Sequence, residues 1–308
     1  MMFKNSIKLL CTNFDKVWKL LVYHILSIAI CFGLLSVFYG QYMQILGVAY
    51  NESGLSELFQ TGAPYGGTIA QALTAFADAI IILFRELFTT DIWLGVYFCF
   101  IVFYFFPLLM NIGKFVTCEM MYGYMSSCQK QSFTGTFLKT LGHSLAYSSV
   151  RVLYSLPFNA IVFLCMWGLT RIDNNVFDYI MPFMFVLIPS IILAIKGIFN
   201  SGWAPAIVVY NHNVITSFGI GVRATFRKID KVFSNLFVIY LLAIVLSMAL
   251  GVYSVIIILP VIFPLIHIFE MVMFFSSQGM RFYEDVDTII SPKKLEEIDK
   301  IEDAKFLL

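Results

Sequence analysis

Five ionisable side chains within or beside long apolar segments are the residues best placed to do chemistry. Ionisable groups in such segments are costly, and they often mark substrate or proton pathways. His267 and Glu270 lie three positions apart, so a helix would place them on one face. A polar cavity there could receive a lipid headgroup, or it could couple proton movement to changes in the charge of these two residues. The candidate polar site consists of Lys114, Glu119, Lys196, His267 and Glu270.

A structural interpretation of the same charges competes with the functional one and is favoured. In that interpretation an internal ion pair fixes the register of the helices, and the lysines extend towards the cytoplasmic interface. Phe106-Pro107-Leu108 resembles Phe263-Pro264-Leu265, which suggests that two segments occupy equivalent positions. If such segments pack around a pseudo-threefold axis, Glu119, Glu270 and Lys196 would meet in the inner leaflet.

The sequence contains none of the motifs that support enzyme chemistry. It has no cluster of His, Cys, Asp and Glu with metal-ligand spacing, no glycine-rich phosphate loop and no Gly-x-Ser-x-Gly turn. We therefore predict no catalytic residue, no cofactor, no metal and no enzymatic activity. The net charge of +1 provides no basic field, so we expect no nucleic-acid partner.

Composition predicts a membrane protein. Hydrophobic residues make up 60% of the 308 positions and charged residues 13%, against about 45–50% and about 25% in soluble domains. A membrane helix needs about 20 consecutive apolar residues. The segments that qualify are 17–40, 92–114, 152–170, 177–199, 236–258 and 260–282. The predicted fold is an all-α polytopic bundle of six transmembrane helices in a membrane domain of residues 1–283.

Basic residues predict the orientation, because they are retained on the cytoplasmic side of a bacterial-type inner membrane. With the N-terminus inside, only Arg85 and Arg171 lie outside, and the reverse orientation would misplace nearly every basic residue. Outer segments also carry the acidic residues Glu52, Glu57, Glu86, Asp91 and Asp173. We therefore predict a multi-pass protein of the cell (inner or plasma) membrane with both termini cytoplasmic and an extracytoplasmic insert at 41–91.

Thr68–Phe88, within this insert, has apolar residues at helical spacing but is not counted as a seventh span. Asp78, Arg85 and Glu86 would be costly at the bilayer centre. A seventh crossing would also reverse the membrane orientation of every later segment and place most of its basic residues outside. We predict an amphipathic helix that lies on the outer leaflet or folds into it.

Three amphipathic segments precede the odd-numbered spans and indicate an internal repeat. Phe14-Asp15-Lys16-Val17-Trp18 in the first resembles Ile229-Asp230-Lys231-Val232-Phe233 in the third, and Ser132-Phe133 in the second resembles Ser217-Phe218. A helix with apolar residues along one face and basic residues on the opposite face is typical of the interface of an anionic membrane. The chain thus reads as three repeats of amphipathic interfacial helix plus helical hairpin. The residues expected to contact anionic lipids are Lys4, Lys8, Lys16, Arg223, Arg227, Lys228 and Lys231.

These features resemble poorly characterised bacterial membrane families. Tyr122-Gly123-Tyr124 leads to Ser132-Phe133-x-x-x-Phe137-Leu138, and Trp203-x-Pro205-Ala206-Ile207-Val208-Val209 leads to the basic third helix. This order looks like YciC-like proteins and like the membrane domain fused to some glycerophosphodiester phosphodiesterases. The resemblance implies membrane residence over most of Phe3–Tyr283. It carries no catalytic residue onto this chain.

Residues 284–308 differ in composition and predict a cytoplasmic tail. Ser291-Pro292 begins a short helix, which would dock on the bundle or on a partner protein. The function expected from the whole sequence is that of a non-enzymatic membrane scaffold, assembly factor or lipid-organising factor. The alternative is a transporter or lipid flippase that uses the inner-leaflet charges.

Overall fold

A computed structural model of the chain describes residues 2–60, 69–172 and 175–290, which are almost entirely helical. The α-helices are α1 (Met2–Thr12), α2 (Phe14–Leu35), α3 (Tyr39–Glu52), α4 (Leu55–Gln60), α5 (Ile69–Thr90), α6 (Ile92–Cys99), α7 (Phe106–Ser127), α8 (Phe133–Leu169), α9 (Asn175–Asn200), α10 (Trp203–Tyr210), α11 (Val214–Phe226), α12 (Ile229–Leu250), α13 (Val255–Ile257) and α14 (Phe263–Gln278). Short 3₁₀ turns occupy Ser36–Phe38 and Gly251–Ser254, and π-helical segments occupy Phe100–Phe105 and Ile258–Ile262. Strands β1 (Phe282–Asp285) and β2 (Thr288–Ile290) complete the fold.

Six helices in the described part of the chain are long and apolar enough to cross a membrane. They are Val17–Glu52, Ile92–Ser127, Phe133–Leu169, Tyr179–Tyr210, Ile229–Leu250 and Val255–Gln278. The chain is therefore an all-α, multi-pass membrane protein, as its composition predicts. Most of these helices extend well beyond the predicted spans. The third, for example, continues without interruption from the second amphipathic segment, so no turn separates that segment from its span.

The two π-helical segments have a common cause in the sequence. Each ends just before a Phe-Pro-Leu triplet, at Phe106-Pro107-Leu108 and at Phe263-Pro264-Leu265. Proline has no N–H to donate to the carbonyl four residues earlier, and its ring collides with that carbonyl. A wider turn relieves the collision and keeps the helix continuous. The matched triplets therefore produce matched irregularities in the second and sixth spans.

The contacts divide the chain into two compact units, and unit 1 consists of Met1–His24, Met110–Ser148 and Ala194–Leu308. Its central element is α14, which contacts α1, α10, α11 and α12. Every residue of α14 from Pro264 to Phe275 is buried. Helices α10 and α11 approach at Gly202 and Gly221, where a Cβ on Gly202 would lie 2.3 Å from the Gly221 carbonyl oxygen.

An antiparallel hairpin of β1 and β2 follows α14 and contacts α1. Phe282 pairs with Ile290, and Lys8 in α1 bonds Glu284 at 2.8 Å. The boundary expected between the membrane domain and a tail, after Tyr283, falls inside this hairpin. The tail helix expected from Ser291 lies outside the described residues.

Unit 2 consists of Ile25–Leu109 and Ser149–Leu193. It contains α5, which corresponds to the amphipathic segment Thr68–Phe88 and is not among the six membrane-spanning candidates. Helix α5 packs against α3 and α6. Its charges are paired, since Arg85 bonds Glu52 at 2.8 Å and Asp78 accepts from Arg171. The two basic residues predicted to lie outside the membrane therefore both join ion pairs of this unit.

The first and third amphipathic segments bury polar and small residues as well as apolar ones. The apolar stripe predicted for the first is Phe3, Ile7, Leu10, Phe14 and Val17, of which Ile7 and Phe14 are exposed and Leu10 and Val17 are buried. The buried residues of α1 are Met2, Asn5, Ser6, Leu9 and Leu10, and the Ser6 hydroxyl donates to the Met2 carbonyl at 2.9 Å. In α11 the buried residues are Ser217, Gly221, Ala224 and Thr225. Small and polar residues thus share the buried face of α1 with Leu9 and Leu10 and make up that of α11, where small residues permit close approach between helices.

Candidate functional site

Helix α14 places two of the predicted site residues in the core of unit 1. His267 and Glu270 lie one turn apart, and both are buried, with Glu270 only 3% exposed. The same stretch of α14 also carries fully buried aromatic and sulfur-containing side chains, among them Phe269, Met271 and Phe274. A carboxylate in such surroundings needs a counter-charge, since a lone buried charge is strongly disfavoured.

Lys114, near the middle of α7, supplies that counter-charge. Its ammonium donates to the Glu270 Oε1 atom at 2.6 Å and also contacts Oε2, so it bridges both oxygens of the carboxylate. Lys114 is only 2% exposed, and its side chain does not extend to an interface. The residues follow equivalent prolines, with Lys114 seven positions after Pro107 and Glu270 six after Pro264.

The pair is closed off from the surface, because Lys114 and Glu270 are only 2% and 3% exposed. A separate small cavity of about 10 Å³ is lined by other residues of the same helices, among them Thr117, Met121 and Ile268. An ion pair buried in this way contributes little net stability, but removal of one partner leaves an uncompensated charge that costs about 3–5 kcal/mol. The pair can therefore specify how α7 and α14 fit together.

His24 is a neighbour of these helices that sequence reasoning did not place in the site. It is 1% exposed, and neither ring nitrogen has a hydrogen-bond partner among the described residues. Its ring meets Phe263 edge-on at 5.9 Å, and a Cβ on Gly113 would lie 3.1 Å from its Nε2 atom. The sequence signal was a histidine in an apolar stretch, which by itself does not identify Gly113 as its contact.

The remaining predicted site residues are placed differently. Glu119 is 3.7 Å from Lys139, which is largely exposed, so this contact lies near the surface. Lys196 is half-buried on α9. Glu270 contacts Lys114, whereas Glu119 contacts Lys139. Among the described residues, no three His, Cys, Asp or Glu side chains are grouped so that they could hold a metal ion.

Comparison with known proteins gives no match: no family model, no curated protein and no solved structure is similar to the chain. The resemblance to YciC-like proteins therefore stays a prediction.

Proposed function

We propose that this chain is a non-enzymatic structural protein of the cell membrane, with both termini cytoplasmic, that serves as a scaffold or lipid-organising factor. The observation that carries the proposal is the sealed Lys114–Glu270 pair. The two charges contact each other, and both side chains are almost fully buried. A charged side chain that takes part in transport must be accessible to a substrate or to water. A charged side chain that only holds two helices together can be inaccessible to both, provided that an opposite charge contacts it.

Contact with anionic lipids is the second part of the proposal. Lys4 and Lys8 on α1 are exposed, as are Arg223, Arg227 and Lys231 at the junction of α11 and α12. In the same structure Ile7 and Phe226 are exposed large apolar side chains. Basic groups beside exposed apolar groups suit the headgroup region of an anionic leaflet, where each basic residue contributes about 1 kcal/mol.

Lipid translocation is the second candidate function, and the π-helical segments are the observation that favours it. These segments occupy Phe100–Phe105 and Ile258–Ile262, in the two spans that carry Lys114 and Glu270. π-Helical turns occur frequently at functional sites. A rearrangement at these turns would be needed to open the pair to a headgroup.

Reconstitution separates the two candidates. The purified protein would be placed in vesicles of phosphatidylethanolamine and phosphatidylglycerol that contain a fluorescent lipid, and a membrane-impermeant quencher would report lipid movement between leaflets. The structural proposal expects the same rate as in protein-free vesicles. A faster rate that is lost in Glu270→Gln but kept in Glu119→Gln would instead establish translocation through the buried pair.

The orientation is tested by single-cysteine labelling in a variant whose native cysteines are replaced. A cysteine at position 52 should react with an impermeant reagent in intact cells, and one at position 139 only after permeabilisation. The opposite pattern would place the termini outside and would remove the argument for an inner-leaflet lipid surface.

A further inference from the structure

An open groove of about 420 Å³ in unit 2 has no role in the proposal above. It is lined by Phe38, Asp91, Trp93, Leu94, Val96, Tyr97 and Phe100. Its volume falls within the range of about 300–1,000 Å³ that is usual for small-molecule sites. Its lining is aromatic and aliphatic except for one carboxylate. The groove therefore combines a long apolar surface with a single negative charge.

Irregular backbone borders the groove at two places. Phe38 ends the 3₁₀ turn Ser36–Phe38, which separates α2 from α3. Phe100 begins the π-helical segment that follows α6.

The wall of the groove is held in place by polar and aromatic contacts. The Tyr97 hydroxyl donates to the Leu34 carbonyl oxygen at 2.9 Å, and the Tyr97 ring meets Phe38 edge-on at 5.4 Å. The irregular turn that begins at Ser36 follows directly after Leu34 and Leu35. The groove is therefore preformed, which reduces the entropy lost when a ligand binds.

Charge at the mouth of the groove identifies the headgroup that fits. The Asp91 Oδ1 atom accepts from the Trp93 N–H at 2.9 Å and caps α6, while no basic side chain pairs with Asp91 among the described residues. The carboxylate offsets the positive end of the helix and still carries a full negative charge, which suits an ammonium group.

The occupant is a lipid because the groove belongs to a membrane-spanning helix. Asp91 directly precedes the span Ile92–Ser127, and Trp93 is 78% exposed at its start, as is typical of an aromatic side chain at the membrane interface. Val96 and Phe100 are also exposed and follow at helical spacing along the groove. An acyl chain fits beside these side chains, with its headgroup at the capped helix end.

We propose that this groove binds one phosphatidylethanolamine molecule, with its acyl chain along Phe38, Val96 and Phe100 and its ammonium on Asp91. The site goes beyond the structural role proposed above and does not depend on it. A primary ammonium donates hydrogen bonds to a carboxylate, whereas the quaternary ammonium of phosphatidylcholine has no N–H to donate. Phosphatidylglycerol has no cation for Asp91. Of these three phospholipids, only phosphatidylethanolamine therefore offers a primary ammonium to Asp91.

Native mass spectrometry of the full-length protein tests the site, with phosphatidylethanolamine, phosphatidylcholine or phosphatidylglycerol of identical acyl chains added to the detergent. Asp91→Asn removes the charge but preserves the helix cap, because asparagine is an equally good N-cap residue. We expect one phosphatidylethanolamine retained by the wild type and about tenfold weaker retention in Asp91→Asn, which corresponds to about 1.4 kcal/mol. Asp230→Asn, at an exposed carboxylate of unit 1, is the matched control and should retain the lipid.

Val96→Trp is the second variant, because it fills the groove from an exposed position and leaves the buried core intact. It should abolish retention of the lipid while the melting temperature stays at the wild-type value. Equal retention of all three lipids by the wild type, or retention unaffected by both variants, would overturn the proposal. Neither result would bear on the lipid-translocation test, so the two proposals fail separately.

Discussion

Units 1 and 2 both contain ion pairs, but the Lys114–Glu270 pair of unit 1 is buried, whereas the arginines paired in unit 2 are about half exposed. In unit 1 the Lys114 ammonium and the Glu270 carboxylate are 2% and 3% exposed. In unit 2 the guanidinium groups of Arg85 and Arg171 are 55% and 49% exposed, although they bond Glu52 and Asp78 with comparable geometry. The same pairing of charges therefore occurs in two different dielectric environments.

The difference shows why a distance between two charges does not by itself reveal their role. A buried pair forms only if both charges lose water, so each partner depends on the other. An exposed pair keeps its water and gains little from the contact. We therefore expect the fit of α7 to α14 in unit 1 to depend on this pair, and unit 2 to depend on packing such as that of Tyr42, Ile45, Leu87 and Leu94.

Removal of one partner of the buried pair should have the largest effect. Lys114→Met leaves the Glu270 carboxylate without its counter-charge, and we expect a loss of about 3–5 kcal/mol. The measurement is the melting temperature in mild detergent. Lys139→Met is the control, because Lys139 is 74% exposed and 3.7 Å from Glu119, so it should melt with the wild type. Equal melting temperatures of the two variants would contradict the expected difference between the buried and the exposed pair.

Gly113→Ala should have the next largest effect, because it disturbs the surroundings of the pair and leaves its charges intact. The new Cβ would lie 2.8 Å from the Tyr23 ring and 3.1 Å from the His24 Nε2 atom. Overpacking costs about 1–3 kcal/mol, which exceeds the gain of about 0.5–1 kcal/mol for alanine over glycine in a helix. Gly142→Ala in α8, where a Cβ meets nothing within 4 Å, should instead raise the melting temperature.

The sequence was sufficient to predict the class of fold but not the faces that its helices bury. Apolar length alone gave six spans, and the charges of Asp78, Arg85 and Glu86 correctly kept α5 out of that count. The stripe that includes Ile7 and Phe14 was predicted to lie in the membrane interface, and its periodicity does not show which other residues of the helix contact the protein. In lipid these residues gain as much outside, so small and polar residues decide the contact.

The candidate site was predictable only in part, for a related reason. An ionisable residue in an apolar span is visible in the sequence, and Lys114 and Glu270 were both identified in this way. Their pairing was not visible, because it depends on how far each helix rotates after its proline and π-helical turn. The structure brings these two residues into contact although they lie 156 positions apart in the sequence. His24 was missed because its contacts, Gly113 and Phe263, carry no charge.

Replacement of both partners of the buried pair should have a small effect, which sharpens the comparison further. Lys114→Met with Glu270→Met removes both charges and retains most of the side-chain volume. Buried pairs replaced by apolar residues are often neutral or stabilising. We therefore expect the double variant to melt near the wild type and far above either single variant. If the double variant melts as low as the single variants, the charges stabilise unit 1 beyond mutual neutralisation.

Glu52→Gln in unit 2 should have the smallest effect, with no resolved change in melting temperature. The Arg85 guanidinium donates to Glu86 as well as to Glu52, and these hydrogen bonds raise the pKa of Arg85 above its ordinary value. Stability from a raised pKa is lost only as the pH rises through that value, so Arg85 stays charged at every pH suitable for the measurement. Glu86 remains as a partner, and water solvates the exposed guanidinium. A clear loss of stability in Glu52→Gln, measured at low and at high salt, would show that unit 2 also depends on its ion pairs.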